Sequence, residues 1–252
     1  MKRSTRILIG LLTISLLLGL SAILLRRDEP EVRAQLVAMA DGAAGFARAA
    51  RPRPIEFPAD HGPHPDYQTE WWYYTGNLKT EDERHFGYQL TFFRRALVPP
   101  AQRQDRPSNW ATDQVYMGHF ALIDVAGGRY QALERFARGA VELAGAQAEP
   151  YHVWLEDWSV GEVALDVVRL RAAQDDLVID LLLTDDKGPI LQGDGGYSQK
   201  GPEPGNASYY YSQTRLASSG TVQVVDEIYQ VNGLSWMDHE FSTSALAPDQ
   251  VG

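Results

Sequence analysis

Cysteine is absent from all 252 positions. That excludes disulfides, thiol nucleophiles, thiolate metal sites and a lipid-modified cysteine anchor, so stability in an oxidising compartment would come from the core alone. Nucleophile and phosphate signatures are missing too. No Gly-x-Ser-x-Gly elbow, Gly-x-x-x-x-Gly-Lys loop or dinucleotide fingerprint occurs, which disfavours serine-hydrolase, phosphoryl-transfer and hydride chemistry. Basic residues are scarce. Setting aside residues 1–27, which hold five basic and no acidic side chains, leaves 18 Lys and Arg against 33 Asp and Glu, a formal net charge of −15. Such a body repels phosphate backbones and anionic lipid headgroups, so no nucleic-acid partner is expected. A persuasive helical period is lacking from residue 86 onward, and no short repeat of the propeller or solenoid kind is found.

One long uncharged run is present, from Ile7 to Leu25, with Lys2, Arg3 and Arg6 before it and Arg26 and Arg27 after. Nineteen helical residues rise about 28 Å, close to the hydrocarbon thickness of a bilayer. A secretory signal usually has an apolar stretch of only about 7–15 residues and ends in small side chains. Leu20 stands at −3 relative to Ala22, so an uncleaved signal-anchor is favoured over a removed signal peptide. The expectation is a membrane-anchored, periplasmic or extracytoplasmic protein, secreted if the segment is cut. Residues 28–54 are rich in alanine and end in Arg51-Pro52-Arg53-Pro54, which reads as a spacer.

From Ile55 the dominant period is two. Phe86, Tyr88, Leu90 and Phe92 alternate with smaller or polar residues, as do the runs Val115–Ile123 and Leu177–Thr184. Turn signals separate them at Gly76-Asn77, Gly127-Gly128, Asp175-Asp176 and Gly195-Gly196. The spacing predicts about nine or ten antiparallel strands closing as a barrel or sandwich.

Glu70-Trp71-Trp72-Tyr73-Tyr74 places a carboxylate ahead of four bulky rings. Rings on both faces of one strand suit a core on one side and an apolar ligand or partner sheet on the other. Glu70 shares a face with Trp72 and Tyr74, and either pairs with a cation such as Arg94 or Arg95 or is kept protonated by apolar surroundings. In Trp236-Met237-Asp238-His239-Glu240-Phe241, Asp238 and His239 point to opposite faces of a strand and cannot pair with each other, whereas in a bulge or turn they could converge; an ion-paired strand end is the plain reading. His152, Trp154, Glu156 and Trp158 alternate and are expected on one strand face; lining a pocket and packing two sheets are equally good readings of such rings. Asp60-His61-Gly62-Pro63-His64-Pro65-Asp66 offers two imidazoles. Pro63 and Pro65 forbid the helical spacing that would bring both rings to one ion, so the segment reads as a rigid loop whose polar groups satisfy backbone, and no metal is expected.

Four phrases together, Phe57–Pro65, Glu70–Leu78, Tyr88–Arg94 and Ser235–Phe241, resemble the lipocalin-like AttH family, which includes carotenoid 1,2-hydratases (hydroxyneurosporene synthases). The resemblance covers roughly residues 55–252. It implies an all-β, antiparallel lipocalin-like β-barrel, the first of a tandem pair, over 55–234, with the start of a second, truncated lobe over 235–252. It also implies one of two activities. The first is binding of an isoprenoid or other lipid beside the membrane, with Trp71, Trp72, Tyr74, Trp154 and Trp236 as ligand-binding residues. The alternative is cofactor-free addition of water to an isoprenoid double bond; the resemblance carries over no catalytic set residue by residue, and the residues that offer the chemistry in outline are Asp238 with Trp236, or Glu70 with Trp72 and Tyr74, as the acid, and His239 to orient water. An acid would protonate the alkene while ring faces steady the cation. An apolar small molecule and the membrane are the expected partners; a membrane transport complex is a further one without residue-level support.

Overall fold

Side chains alternating in and out at every second residue wrap the chain into a single antiparallel sheet around one interior. The computed structural model describes residues 43–243. The expected anchor over residues 7–25 and the tail from residue 244 lie outside the described residues; among those described, no helix is long and apolar enough to cross a membrane.

Strand β1 (Thr69–Lys79) turns Glu70, Trp72, Tyr74 and Leu78 inward, and β2 (His85–Ala96) turns Phe86, Tyr88, Leu90, Phe92 and Arg94 inward. They are followed by β3 (Gln114–Asp124), β4 (Arg129–Arg138), β5 (Ala144–Gln147), β6 (His152–Leu155), β7 (Trp158–Ala164), β8 (Val167–Gln174) and β9 (Leu177–Asp185). The short β10 (Ile190–Leu191) and β11 (Tyr197–Gln199) precede two long strands, β12 (Ala207–Val224) and β13 (Glu227–Ser242). The order across the sheet is β4, β3, β2, β1, β13, β12, β9, β8, β7, β6, β5. A register shift between Gln213 and Leu216 divides β12: its second half pairs with β9, its first half with β10 and β11.

β4 and β5 end the sheet without a shared ladder, and the barrel is nearly closed across that seam by side chains. Trp158 lies edge-on to Phe120 of β3, ring centroids 5.7 Å apart. The Arg135 guanidinium of β4 sits 4.4 Å from the Trp158 ring and donates to the Ala173 carbonyl (2.9 Å) and to Gln174 Oε1 (2.8 Å). A planar cation serves here because it stacks on the indole and reaches two acceptors at once.

Among the described residues thirteen strands form where the sequence suggested nine or ten, because β5, β6, β10 and β11 have two to four residues each and carry no readable period. The proposed lobe boundary at residue 235 falls inside β13, which pairs with β1 from Asn232 to Ser242.

Candidate functional site

The segment ahead of β1 folds over one end of the barrel and brings its polar residues to the buried Glu70. A 3-10 turn at Ala59–His61 starts it, and Glu56 N–H donates to Asp60 Oδ2 at 2.6 Å. Gly62 lets the segment lie against the neighbouring chain, since a Cβ there would meet Ala148 Cβ at 2.4 Å and its Cα at 2.6 Å. Trp72 Nε1–H donates to the His61 carbonyl at 3.0 Å.

A continuous chain of hydrogen bonds results. Arg53 donates to both oxygens of Asp60 (2.7 and 3.1 Å). His64 lies between two carboxylates, Nε2 2.7 Å from Asp60 Oδ1 and Nδ1 2.7 Å from Glu70 Oε1. Glu70 Oε1 also faces His239 Nε2 at 2.9 Å, and Glu70 Oε2 accepts from Arg94 Nε at 2.8 Å and from His64 N–H at 2.9 Å. On the far side, His239 Nδ1 is 3.1 Å from the Tyr211 hydroxyl, which is 2.7 Å from His61 Nδ1. Arg94 is held in turn by the carbonyls of His64 (2.8 Å) and Tyr67 (2.9 Å). Flat rings fix the imidazoles: His64 stacks on Phe241 at 3.5 Å and His239 on Trp72 at 4.9 Å.

Electrostatics assign the protons. Burial alone would raise the Glu70 carboxyl, but the Arg94 charge and the hydrogen bonds from His239 and His64 outweigh it and hold Glu70 well below the usual carboxylate range. Asp60 is likewise depressed: burial opposes ionisation, and His64, Arg53 and the Glu56 amide overcome it. Burial would lower His64, but its hydrogen bonds to Asp60 and Glu70 raise it, so it stands as an imidazolium donating from both nitrogens. Burial lowers His239 despite its bond to Glu70. Its proton therefore sits on Nε2 facing the carboxylate, and Nδ1 accepts from Tyr211. Burial and the neighbouring His239 push His61 down to about 4. Neutral His61 donates from Nδ1 to the Tyr211 oxygen, which leaves Nε2 as its acceptor nitrogen.

His61 lines a cavity of about 130 Å³. The floor is buried and consists of Tyr74, Tyr151, Leu183, Leu216 and Met237; the rim includes the exposed Glu162, Leu165 and Asp166. Tyr74 and Tyr151 hydroxyls bond at 2.9 Å, and burial pushes both phenols far above their ordinary value. Asp185 and Gln213 complete the polar part, with Gln213 Nε2 donating to Asp185 Oδ2 at 2.7 Å.

The residues proposed from sequence separate into four places. Glu70, His239 and Trp72 meet in the buried chain, and Tyr74 lines the cavity. Asp238 and Trp236 are on the outer face of β13, where Trp236 Nε1 (2.7 Å) and the Tyr210 hydroxyl (2.9 Å) donate to Asp238 Oδ1. Trp71 is half-buried beside Phe93 on the same outer surface, and Trp154 stacks on His152 with Nε1 donating to the Glu142 carbonyl. Trp154 and Trp158 do not share a face, because the two-residue turn at Glu156-Asp157 breaks the alternation between them. Of the two arginines considered for Glu70, Arg94 is the partner, while Arg95 reaches the Thr69 hydroxyl (3.4 Å). Asp60, His61 and His64, read from sequence as rigid-loop groups that satisfy backbone, are instead part of the buried chain, and Tyr211 and Tyr151 join it and the cavity without having been given a site role. For His64 the signal was an imidazole held rigid by flanking prolines.

The antiparallel, nearly closed barrel with a ring-filled interior is a lipocalin-type fold, and it carries the histidine–carboxylate chain at one end. The chain belongs to the AttH-like family, whose model matches residues 48–252. A crystal structure of an AttH protein from Nitrosomonas europaea superposes with a TM-score of 0.71 at 37% identity, covering 81% of this chain and 60% of that one. Kievitone hydratase from Nectria haematococca shares the fold at a TM-score of 0.55 and 10% identity, covering 81% of this chain and 59% of that one. The chain thus spans about 60% of the length of the solved structures it matches. No curated protein matches it in sequence comparison.

Proposed function

We propose that this barrel binds the branched apolar end of a small isoprenoid-type molecule, on the strength of one observation: a cavity of about 130 Å³ with an apolar, phenol-bearing floor and an exposed rim. A cavity of about 150 Å³ holds one benzene, so this one suits a group of about five carbons. The remainder of a longer molecule would project past Leu165 and Asp166. Tyr74 and Tyr151 offer hydroxyls to a polar substituent at the buried end. The proposal extends to place: the run from Ile7 to Leu25 would hold the barrel on the periplasmic side of a membrane, beside a source of such ligands.

The test is a competition series on the full-length chain with alcohols of rising length and branching. 3-Methylbut-2-en-1-ol should bind more tightly than linear alcohols of equal carbon number, and Val168→Phe, which fills the cavity from its half-buried wall, should abolish the preference. Equal binding of branched and linear alcohols counts against the reading.

A second reading follows from His61 being both a wall of the cavity and the end of the chain from Glu70. Hydration of a branched alkene moves a proton to the less substituted carbon, adds water oxygen to the tertiary cation, and returns one water proton to the protein. In this reading one of the cavity carboxyls Glu162, Asp166 and Asp185 would supply the first proton and His61 would take the last. Glu70 and Asp238 are not cavity residues, so the acid expected from sequence is replaced here. Incubation in ¹⁸O-water should give an alcohol carrying the label, lost in His61→Asn. Unlabelled recovery of substrate removes this reading while leaving the binding proposal intact.

A further inference from the structure

His64, Glu70 and His239 come from three separated parts of the chain, yet their donor atoms His64 Nδ1, Glu70 Oε1 and His239 Nε2 converge within 4.8 Å of one another. We propose that they form a binding site for one divalent first-row transition ion, with zinc the natural occupant of a two-histidine, one-carboxylate set. This goes beyond the cavity and its ligand and depends on neither.

The second layer of contacts carries the argument. A metal-bound imidazole normally anchors its other nitrogen on a carboxylate, carbonyl or similar partner, which fixes the ring and its tautomer. Both rings here are anchored so: His64 Nε2 on Asp60 Oδ1 at 2.7 Å, and His239 Nδ1 on Tyr211 Oη at 3.1 Å. Asp60 is itself gripped by Arg53, and the second oxygen of Glu70 by Arg94. The carboxylate not given to a metal is therefore already occupied. Stacking on Phe241 and Trp72 removes the remaining freedom of each ring.

Metal–ligand bonds of about 2.1 Å put tetrahedral donor atoms about 3.4 Å apart; Glu70 Oε1 is now 2.7 and 2.9 Å from the two nitrogens and would move outward from both, while the nitrogens, within 4.8 Å of each other, would settle to the same spacing. Entry of the ion displaces the Nδ1 proton of His64, which leaves to solvent. It also moves the His239 proton from Nε2 to Nδ1. His239 then donates to the Tyr211 oxygen, the Tyr211 hydroxyl turns to His61 Nδ1, and the His61 proton moves to Nε2.

The full-length chain, stripped with a chelator and dialysed, is titrated with cobalt(II) chloride while visible absorption is followed, and zinc retained after gel filtration is counted by mass spectrometry. The expected result is one equivalent of either metal, with zinc bleaching the cobalt band. His64→Gln and His239→Gln should remove the band, and Asp60→Asn should weaken affinity about 10–100-fold. His119→Gln, at the exposed pair with Glu134, should change nothing. Folded wild-type chain that retains less than a tenth of an equivalent overturns the proposal whatever the variants do, and so does binding unaltered in both histidine variants.

Discussion

Replacing Glu70 by Gln keeps the shape of the side chain and removes its charge. The amide oxygen can stay at the Oε1 position and accept from His64 and His239, but the amide nitrogen then occupies the Oε2 position. There it meets Arg94 Nε–H and His64 N–H, both donors now 2.8 and 2.9 Å from the carboxylate oxygen. Arg94 is left cationic with 0% of its side chain exposed. Removing one partner of a buried pair costs about 3–5 kcal/mol, because the other charge is stranded. For a body of this size each kcal/mol is about 2–4 °C of melting temperature, so the predicted loss is about 6–20 °C. Calorimetry of the full-length chain at pH 7 reads it, with Asp238→Asn on the outer face as a reference expected to lose much less. Adding Arg94→Met to Glu70→Gln should recover part of the loss, since it removes the stranded charge. The reasoning fails if Glu70→Gln melts within about 2 °C of wild type, or if the double variant is no more stable than the single one.

Two further predictions concern the same end of the barrel. His61 binds its proton at about 4 in the folded chain and near its ordinary value of about 6.5 when unfolded. Its neutral form therefore contributes stability above pH 6.5 that is lost as pH falls toward 4; His239, also lowered, acts in the same direction, while His64, raised, contributes stability that fades only as pH rises through its folded value. His61→Asn should accordingly close on wild type in urea midpoint between pH 7 and pH 4.5, and a constant gap between the two would contradict the assignment. Gly62→Ala should cost about 1–3 kcal/mol by overpacking against Ala148 backbone and should speed amide exchange in residues 60–66 more than in β9; equal exchange in both would show that the loop is not held there.

Much of the barrel was legible because a strand's period is short and local. The inward face of β1, the pairing of Glu70 with an arginine at the end of β2 and the opposed faces of Asp238 and His239 all follow from counting by twos. Trp154 and Trp158 show where counting fails: a two-residue turn of charged residues, Glu156-Asp157, carries no glycine to mark it, and it resets the phase. The site itself was half hidden. Glu70 and His239 are on adjacent strands, but His64 reaches them only because the preceding segment folds back over the barrel end, a tertiary event set by Gly62 against Ala148 and Trp72 under His61. The ring-lined interior holds a smaller space than the aromatic content suggests, since Trp72, Phe92, Phe120 and Trp158 are fully buried and fill it.

Met237 is on the cavity floor, whereas Met117, buried on β3 opposite Phe93, does not line the cavity. Labelling the methionine methyl groups of the full-length chain with ¹³C and titrating with 3-methylbut-2-en-1-ol should shift the Met237 signal saturably, leave Met117 in place, and shift nothing in Val168→Phe. A Met237 signal that stays fixed up to the solubility of the alcohol, or that moves equally in Val168→Phe, would contradict the claim that this cavity takes a branched apolar group.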